Sequence, residues 1–502
     1  MQEQSLQVLI LVSNIKNQQT MKKLIKYFLP ALLSVIVLPS CHKDYLHPVP
    51  ETSITDASAF STAGRIQAQL LSLYGALKSG QYFGGRAVIY GDIRGEDFIN
   101  ETQNLVTGSD VWFENPTNSA TAVVNLWSQA YYTINSCNIF LDGMAAGGAN
   151  VVGTALASNY IAEAKLIRAL SYYTLLQYYA RPYADGNGAK PGLPLRLTSI
   201  KGTGFSDLAR SSVAEVYTQV LKDLNDAEAG LPLTYGSAYT NTTRAHKNTA
   251  IALKTRVYLS MQNYASVITE ANKIVSSSAP FVGSTGVKDT MAANIVNVFK
   301  TPYTSSESIF SMPMTTTGGD NPGTQNQLGF YYSKTTGNGE FSLNPAGIIA
   351  NTGWTATDAR RSFISTSSGK PFLNSKYSAP SPYTDYVPVI RYTEVLLNLA
   401  EALARTNAGV DARALAILNA VRQRSDPTTV ITATTQQQLI DAILLERRIE
   451  FLGEGLRNND LMRLLQTIPA KGIAPSKASS DAGYIWPISN QELNLNRLMT
   501  DN

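Results

Sequence analysis

Residues 159–179 carry only three charges, Glu163, Lys165 and Arg168, amid Ile161, Leu166, Ile167, Leu170, Tyr172, Leu175 and Leu176. The apolar positions recur at helical spacing but run round the axis, so a helix here must pack on more than one face. Ala162, Ala164 and Ala169 let neighbouring helices approach closely. Other segments have the same period in amphipathic form. Residues 58–78 place Phe60, Ile66, Leu70, Leu73 and Leu77 on one stripe, and residues 120–142 do so with Val124, Trp127, Tyr131, Ile134 and Ile139. Ser211 and Ser212 followed by Glu215 read as a capping box opening a helix that runs to Gly230 and stops before Pro232. Residues 248–276 read as a helix pair turned at Gln262 and Asn263, and residues 389–404 with 412–424 as another turned at Asn407, Ala408 and Gly409. Tyr258, Tyr264 and Ala271 fall near the packing positions of tetratricopeptide repeats, a partial match to stacked α-hairpins.

Two stretches break the period. Residues 80–120 and 280–388 are rich in Gly, Ser, Thr, Pro and aromatics. Long irregular segments on a helical scaffold are usual places for binding. No interdomain linker stands out, so residues 58–502 read as one body, with an N-terminal part at about 58–235 and a C-terminal part at about 245–502.

The N-terminal residues read as a processing segment. Lys22, Lys23 and Lys26 precede an apolar run from Tyr27 to Pro39, too short to span a bilayer as a helix. The run ends Leu38-Pro39-Ser40-Cys41, which resembles a bacterial lipobox. This assigns 1–40 to a signal peptide, with 1–20 an artefact of the start site, and 41–57 to a tether lipidated at Cys41. Several acyl chains anchor stably where one binds only marginally. The formal charge of +4 falls to about +1 once Lys16, Lys22, Lys23, Lys26 and Glu3 are removed, leaving no bulk electrostatic reason to bind nucleic acid.

Histidine is scarce. His42 and His47 sit beside the anchor, so a His-based enzyme would rest on His246 alone. With Cys41 lipidated, Cys137 has no intrachain partner and reads as a small core residue. No nucleophile elbow, phosphate-binding loop, zinc-protease motif or paired Cys-x-x-Cys is present.

Several blocks, in order, resemble the SusD/RagB family of Bacteroidetes lipoproteins. They are 159–183; Leu193-Pro194-Leu195; 210–217 with Asp223, Leu224, Leu231 and Pro232; 390–397 with Ala400, Glu401 and Ala402; Leu418, Asn419, Val421 and Arg422; 446–463; and Trp486-Pro487-Ile488. The resemblance spans nearly all of the chain after Cys41. It implies a mostly α-helical fold, an α/α superhelix on four tetratricopeptide-like helix pairs, with long irregular loops and a few short strands. It further implies a lipid-anchored protein facing the cell exterior on the outer membrane. Such a protein captures oligosaccharide, or in some members peptide, for a TonB-dependent SusC-like transporter barrel. No catalytic residue, metal ligand or cofactor is expected beyond the acyl lipid on Cys41, and bound calcium is left open.

Within 446–463, Glu446, Glu450 and Glu454 recur every four residues and so lie on one helix face, as paired carboxylates of a glycoside hydrolase could. Arg447, Arg448, Arg457 and Arg463 are interleaved, and arginine–carboxylate forks tying helices together explain the block more simply. Arg391 with Glu394, and Glu163 with Arg168, are read the same way. Sugar binding calls for exposed rings beside amides, carboxylates or arginines. Trp112, Asn115, Asp92 and Arg94 in the first irregular stretch, and Tyr331, Tyr332 and Trp354 in the second, are the candidates. Trp127 and Trp486 are assigned to the core. A secreted hydrolase and a structural or adhesive repeat protein are the alternatives to a binding protein.

Overall fold

The computed structural model describes residues 56–323 and 325–502, so the segment ending in Cys41 and nearly all of the tether lie outside the described residues. Residues 60–502 form one compact unit. Its main helices are α1 (Ala63–Leu77), α2 (Arg86–Ile93), α3 (Thr121–Gly143), α4 (Thr154–Tyr179), α5 (Val213–Gly230) and α6 (Ala238–Thr243). They continue with α7 (Lys247–Ser260), α8 (Tyr264–Ala271), α9 (Tyr392–Thr406), α10 (Ala412–Ser425), α11 (Gln436–Glu450) and α12 (Arg457–Arg463).

The helices pack in a row. Helix α1 lies on α3, α3 on α4, α4 on α5, α5 on α7, α7 on α8, α8 on α9, and α9 on both α10 and α11. This is the mostly α fold that the family resemblance implied, built from helices that the periodicity had marked. Helix α4 is buried on nearly every face from Tyr160 onward, as its low charge requires. The capping box forms as read: the Ser212 hydroxyl accepts from the Glu215 N–H, and the Glu215 carboxylate accepts from the Ser212 N–H at 2.7 Å. Trp127, Trp486 and Cys137 are core residues.

The irregular stretches contain three two-stranded antiparallel pairs. These join β1 (Phe98–Asn100) to β3 (Phe341–Leu343), β2 (Ser308–Met312) to β6 (Val387–Arg391), and β4 (Ser365–Ser367) to β5 (Lys370–Phe372). Helix α9 therefore starts at Tyr392 rather than at 389, because Val389, Ile390 and Arg391 are held in the β2–β6 ladder.

Arginine–acid forks do tie the C-terminal elements together. Glu446, Glu450 and Glu454 are buried, and each faces guanidinium groups from elsewhere in the chain. Arg360 reaches Glu446 at 2.6 Å and Glu450 at 2.8 Å, Arg422 reaches Glu446, and Arg391 bridges Glu450 at 3.1 Å and Glu454 at 2.7 Å. The three acids do not share one helix. Helix α11 ends at Glu450, and Gly453 and Gly455, both at positive φ, turn the chain so that Glu454 returns to the same cluster. The interleaved arginines pair with other acids: Arg447 and Arg463 with Asp460, Arg463 also with Glu401, Arg448 with Asp97 and Arg457 with Glu96. Glu163 pairs with Arg244 and Arg168 with Asp223, while Glu394 pairs with Arg256 and Arg391 with Glu454. The structural role holds for all four residues, although neither pair is intrahelical.

Candidate functional site

Helix α1 buries one stripe, Ile66, Leu70, Leu73 and Leu77. Its other face carries Gln67, Leu71, Tyr74 and Lys78, one above another at i, i+4, i+7 and i+11. This second face is one wall of a groove of about 590 Å³, within the usual range of ligand sites. The opposite wall is α6 with its C-cap residue, contributing Tyr239, Thr240, Thr243 and Arg244. Strand β2 runs beneath α6, and its last residue, Met312, leads into Pro313 along the groove. The third side is the loop after β2, with Asp320, Asn321 and Pro322.

Local chemistry places each wall. The Ser237 hydroxyl caps α6 by accepting from the Thr240 N–H at 3.1 Å, which leaves the Tyr239 ring outward and 52% exposed. The loop is folded on itself: the Thr315 hydroxyl donates to Asp320 Oδ2 at 2.7 Å, and the Asp320 N–H to the Thr317 carbonyl at 3.0 Å. Its foot sits hard against the start of the first irregular stretch. A Cβ on Gly80 would lie 2.4 Å from the Pro322 oxygen, and one on Gly85 would lie 1.7 Å from the Asn326 oxygen, so only glycine permits this approach. Buried Arg86 clamps the junction, donating to Asn326 Oδ1 at 2.9 Å and the Gln325 carbonyl at 3.0 Å.

The cations of the groove are both paired, Lys78 with an acid of the groove and Arg244 with one buried behind it. Lys78 Nζ donates to Asp320 Oδ1 across the groove. Burial alone would raise the Asp320 pKa, but the hydrogen bonds from Lys78 and Thr315 outweigh it and hold the carboxyl below its ordinary range. Arg244 grips Glu163 with two bonds, at 3.0 and 2.6 Å, and lies over the Tyr235 ring at 5.0 Å. Burial pushes the Glu163 carboxyl up, against the hydrogen bonds from Arg244 and Tyr74. Tyr386, stacked on Tyr303 at 4.7 Å, lies close enough to Tyr239 and Asp320 that burial and both of these neighbours raise its phenol pKa. The outward Tyr239 ring thus stands beside amide and hydroxyl groups of the groove, and both groove cations are paired.

Most of the residues singled out in the sequence lie elsewhere, and they are buried. Helix α2 is enclosed along its whole length, with Gly91 against the backbone of Gly455. Asp92, on α2, accepts from the Tyr332 hydroxyl at 2.9 Å. Burial raises its pKa to about 8, against hydrogen bonds from Tyr332 and the Gly455 N–H. Arg94 is spent on Glu114 at 2.9 Å and the Tyr484 carbonyl at 2.8 Å. The Trp112 indole donates to the Phe98 carbonyl at 2.7 Å. Tyr331 stacks on Phe341, and Trp354 lies under the Arg361 guanidinium at 4.3 Å. The expectation that these six side chains face outward is corrected: each is packed into the body, and none lines the groove. Asn115 alone is exposed, and it does not line the groove either. Tyr239, Asn321 and Asp320, which do line it, were missed. The one available signal was a tyrosine isolated in the polar run 236–243, which has no apolar period to bury it.

His246 is fully buried beneath α6 and against Ile309 of β2, and burial lowers its pKa to about 4, so it is neutral at pH 7. Among the described residues, no cluster of three or more His, Cys, Asp or Glu could hold a metal ion. Among them too, no helix is long and apolar enough to cross a membrane.

A row of α-hairpins carrying a polar and aromatic surface groove is the class of protein defined so far. Comparison with known sequences and structures makes that class specific. The SusD family profile matches residues 283–502, and the profile described as "Starch-binding associating with outer membrane" matches residues 53–259. A SusD superfamily protein from Bacteroides fragilis, solved by crystallography, is 33% identical; the match covers 88% of this chain and 99% of that one, with a TM-score of 0.78. The chain belongs to the SusD family. SusD-like protein P38 of Formosa agariphila is 24% identical across 91% of this chain and 94% of its own length. Surface glycan-binding protein A from Bacteroides uniformis, at 19% identity, shares the fold with a TM-score of 0.70 over 88% of this chain and 99% of its own.

Proposed function

We propose that this chain is a cell-surface binding protein that captures oligosaccharide in the groove between α1, α6 and the 313–323 loop, and passes it to a TonB-dependent SusC-like barrel. The observation that carries this is the pairing of an outward tyrosine with amide and hydroxyl groups in the groove. Sugar rings have apolar C–H faces and hydroxyl rims, and that pairing suits both. The family supports it, and neighbours of the same fold include one named a surface glycan-binding protein. Binding without turnover is the reading the acids favour, since Glu446, Glu450 and Glu454 are locked in arginine forks away from the groove. Lipidation of Cys41 would hold the protein at the outer membrane, and no further cofactor enters the proposal.

Calorimetry of the purified body against a panel of neutral oligosaccharides and peptides tests it, with chromatography of the same mixtures for products. Saturable glycan binding with no product is the expected result. Exclusive peptide binding, or glycan cleavage abolished by replacing one carboxylate, would overturn it. Fatty-acid labelling of the full chain, lost in Cys41→Ala, tests the anchor, and co-purification with a TonB-dependent barrel tests the partner.

A further inference from the structure

The charges of the groove carry one step more, resting on the glycan-binding reading above. We infer that the groove is specific for uncharged glycans, and that Asp320 is the residue that makes it so.

Two cations line the groove, Lys78 and Arg244. Each is already committed. Arg244 presents two of its nitrogens to Glu163, which is itself buried in the body. Lys78 is the C-cap residue of α1, where the helix end carries partial negative charge, and its ammonium lies on Asp320. The Asp320 side chain is the more exposed partner, at 41% against 16% for Lys78. A ligand entering the groove therefore meets a carboxylate before it meets the ammonium behind it. Sulfate or uronate groups on a sugar would find no uncommitted cation there and would be repelled by Asp320. Neutral hydroxyls would find Asn321, Gln67 and Thr240, and the outward Tyr239 ring takes an apolar sugar face whatever the charge of the chain. Selectivity here comes from a repulsive element set beside attractive ones. Replacing Asp320 by Asn keeps an oxygen for the Thr315 hydroxyl but frees Lys78, turning a guarded cation into a docking point for anions.

The experiment uses neutral gluco-, manno- and galacto-hexasaccharides and the same oligosaccharides after partial sulfation, titrated into the wild-type body, D320N, and K78M/D320N at low and at 0.5 M salt. The wild type is expected to bind at least one neutral oligosaccharide and to bind its sulfated form more weakly. In D320N, affinity for the sulfated form should rise roughly five- to tenfold at low salt, and most of the gain should vanish at high salt by screening. The ratio of sulfated to neutral affinity should rise in the same proportion, and K78M in the same background should erase the gain. Tighter binding of the sulfated form by the wild type would overturn the inference. So would an unchanged preference in D320N, or loss of both ligands there, which would make Asp320 a structural residue of the loop. If the wild type binds none of the oligosaccharides, the glycan-binding reading falls, and this inference with it.

Discussion

Replacing Tyr239 by alanine should weaken oligosaccharide binding about tenfold without unfolding the protein. The ring is 52% exposed. A large aromatic side chain has on the order of 200 Å² of surface, so roughly 100 Å² of Tyr239 faces solvent. A sugar ring stacked on one face would cover about half of that. At ~25 cal/mol per Å², the loss is about 1.3 kcal/mol, or close to tenfold in Kd. The fold should tolerate the change, because the capping bond of α6 comes from Ser237 and the buried residues of the helix are Thr242 and Thr243. The assay is isothermal titration of the best neutral ligand, with the thermal midpoint measured alongside. A Kd within twofold of wild type would refute the stacking. Trp112→Ala makes the contrast: the ring is 3% exposed and its N–H is taken by Phe98, so the variant should lose stability while its groove, if folded, keeps its affinity.

Three other expectations bear on the scaffold. Arg391→Met strands Glu307, Glu450 and Glu454 with less compensation in a buried site, so urea unfolding should show a loss of about 3–5 kcal/mol, and less than 1 kcal/mol would contradict the fork model. Asp92 has a folded pKa raised to about 8, so its contribution is complete below the unfolded value near 4 and is lost as pH rises toward 8. Asp92→Asn should therefore gain on the wild type by about 1.4 kcal/mol per pH unit across that window, whereas a pH-independent difference would mean that the carboxyl is ionised in the folded state. Ser212→Ala removes one half of the capping box and should cost about 1 kcal/mol in the same unfolding assay, with no effect on glycan affinity.

The helices were legible because each carries its own period and several carry their own stops, as with Ser212, Glu215 and Pro232 around α5. The β2–β6 ladder was hidden because Val387, Val389 and Ile390 abut a helix of the same apolar character and Pro388 within them counts against a strand. Arginine forks were legible as a kind of interaction but not as pairs. Glu163 and Arg168 are five residues apart, which sets them about 140° apart round α4, and each finds its partner on a different element. The groove was legible only in the isolated Tyr239. Its walls come from residues near 70, 240 and 320, and only the tertiary fold brings them together. Ring size misled the choice of Trp112 and Trp354. Whether a large aromatic binds or packs is decided by what closes over it: the backbone at Gly472 lies against the Trp112 ring, and Arg361 covers Trp354.

A crystal structure of the body soaked with the neutral oligosaccharide that binds it best tests the central claim most directly. A sugar ring should lie on Tyr239, with hydroxyls in hydrogen-bond reach of Asn321 and the α1 face at Gln67. Density for the sugar on another face, with the groove between α1 and α6 empty, would contradict the account.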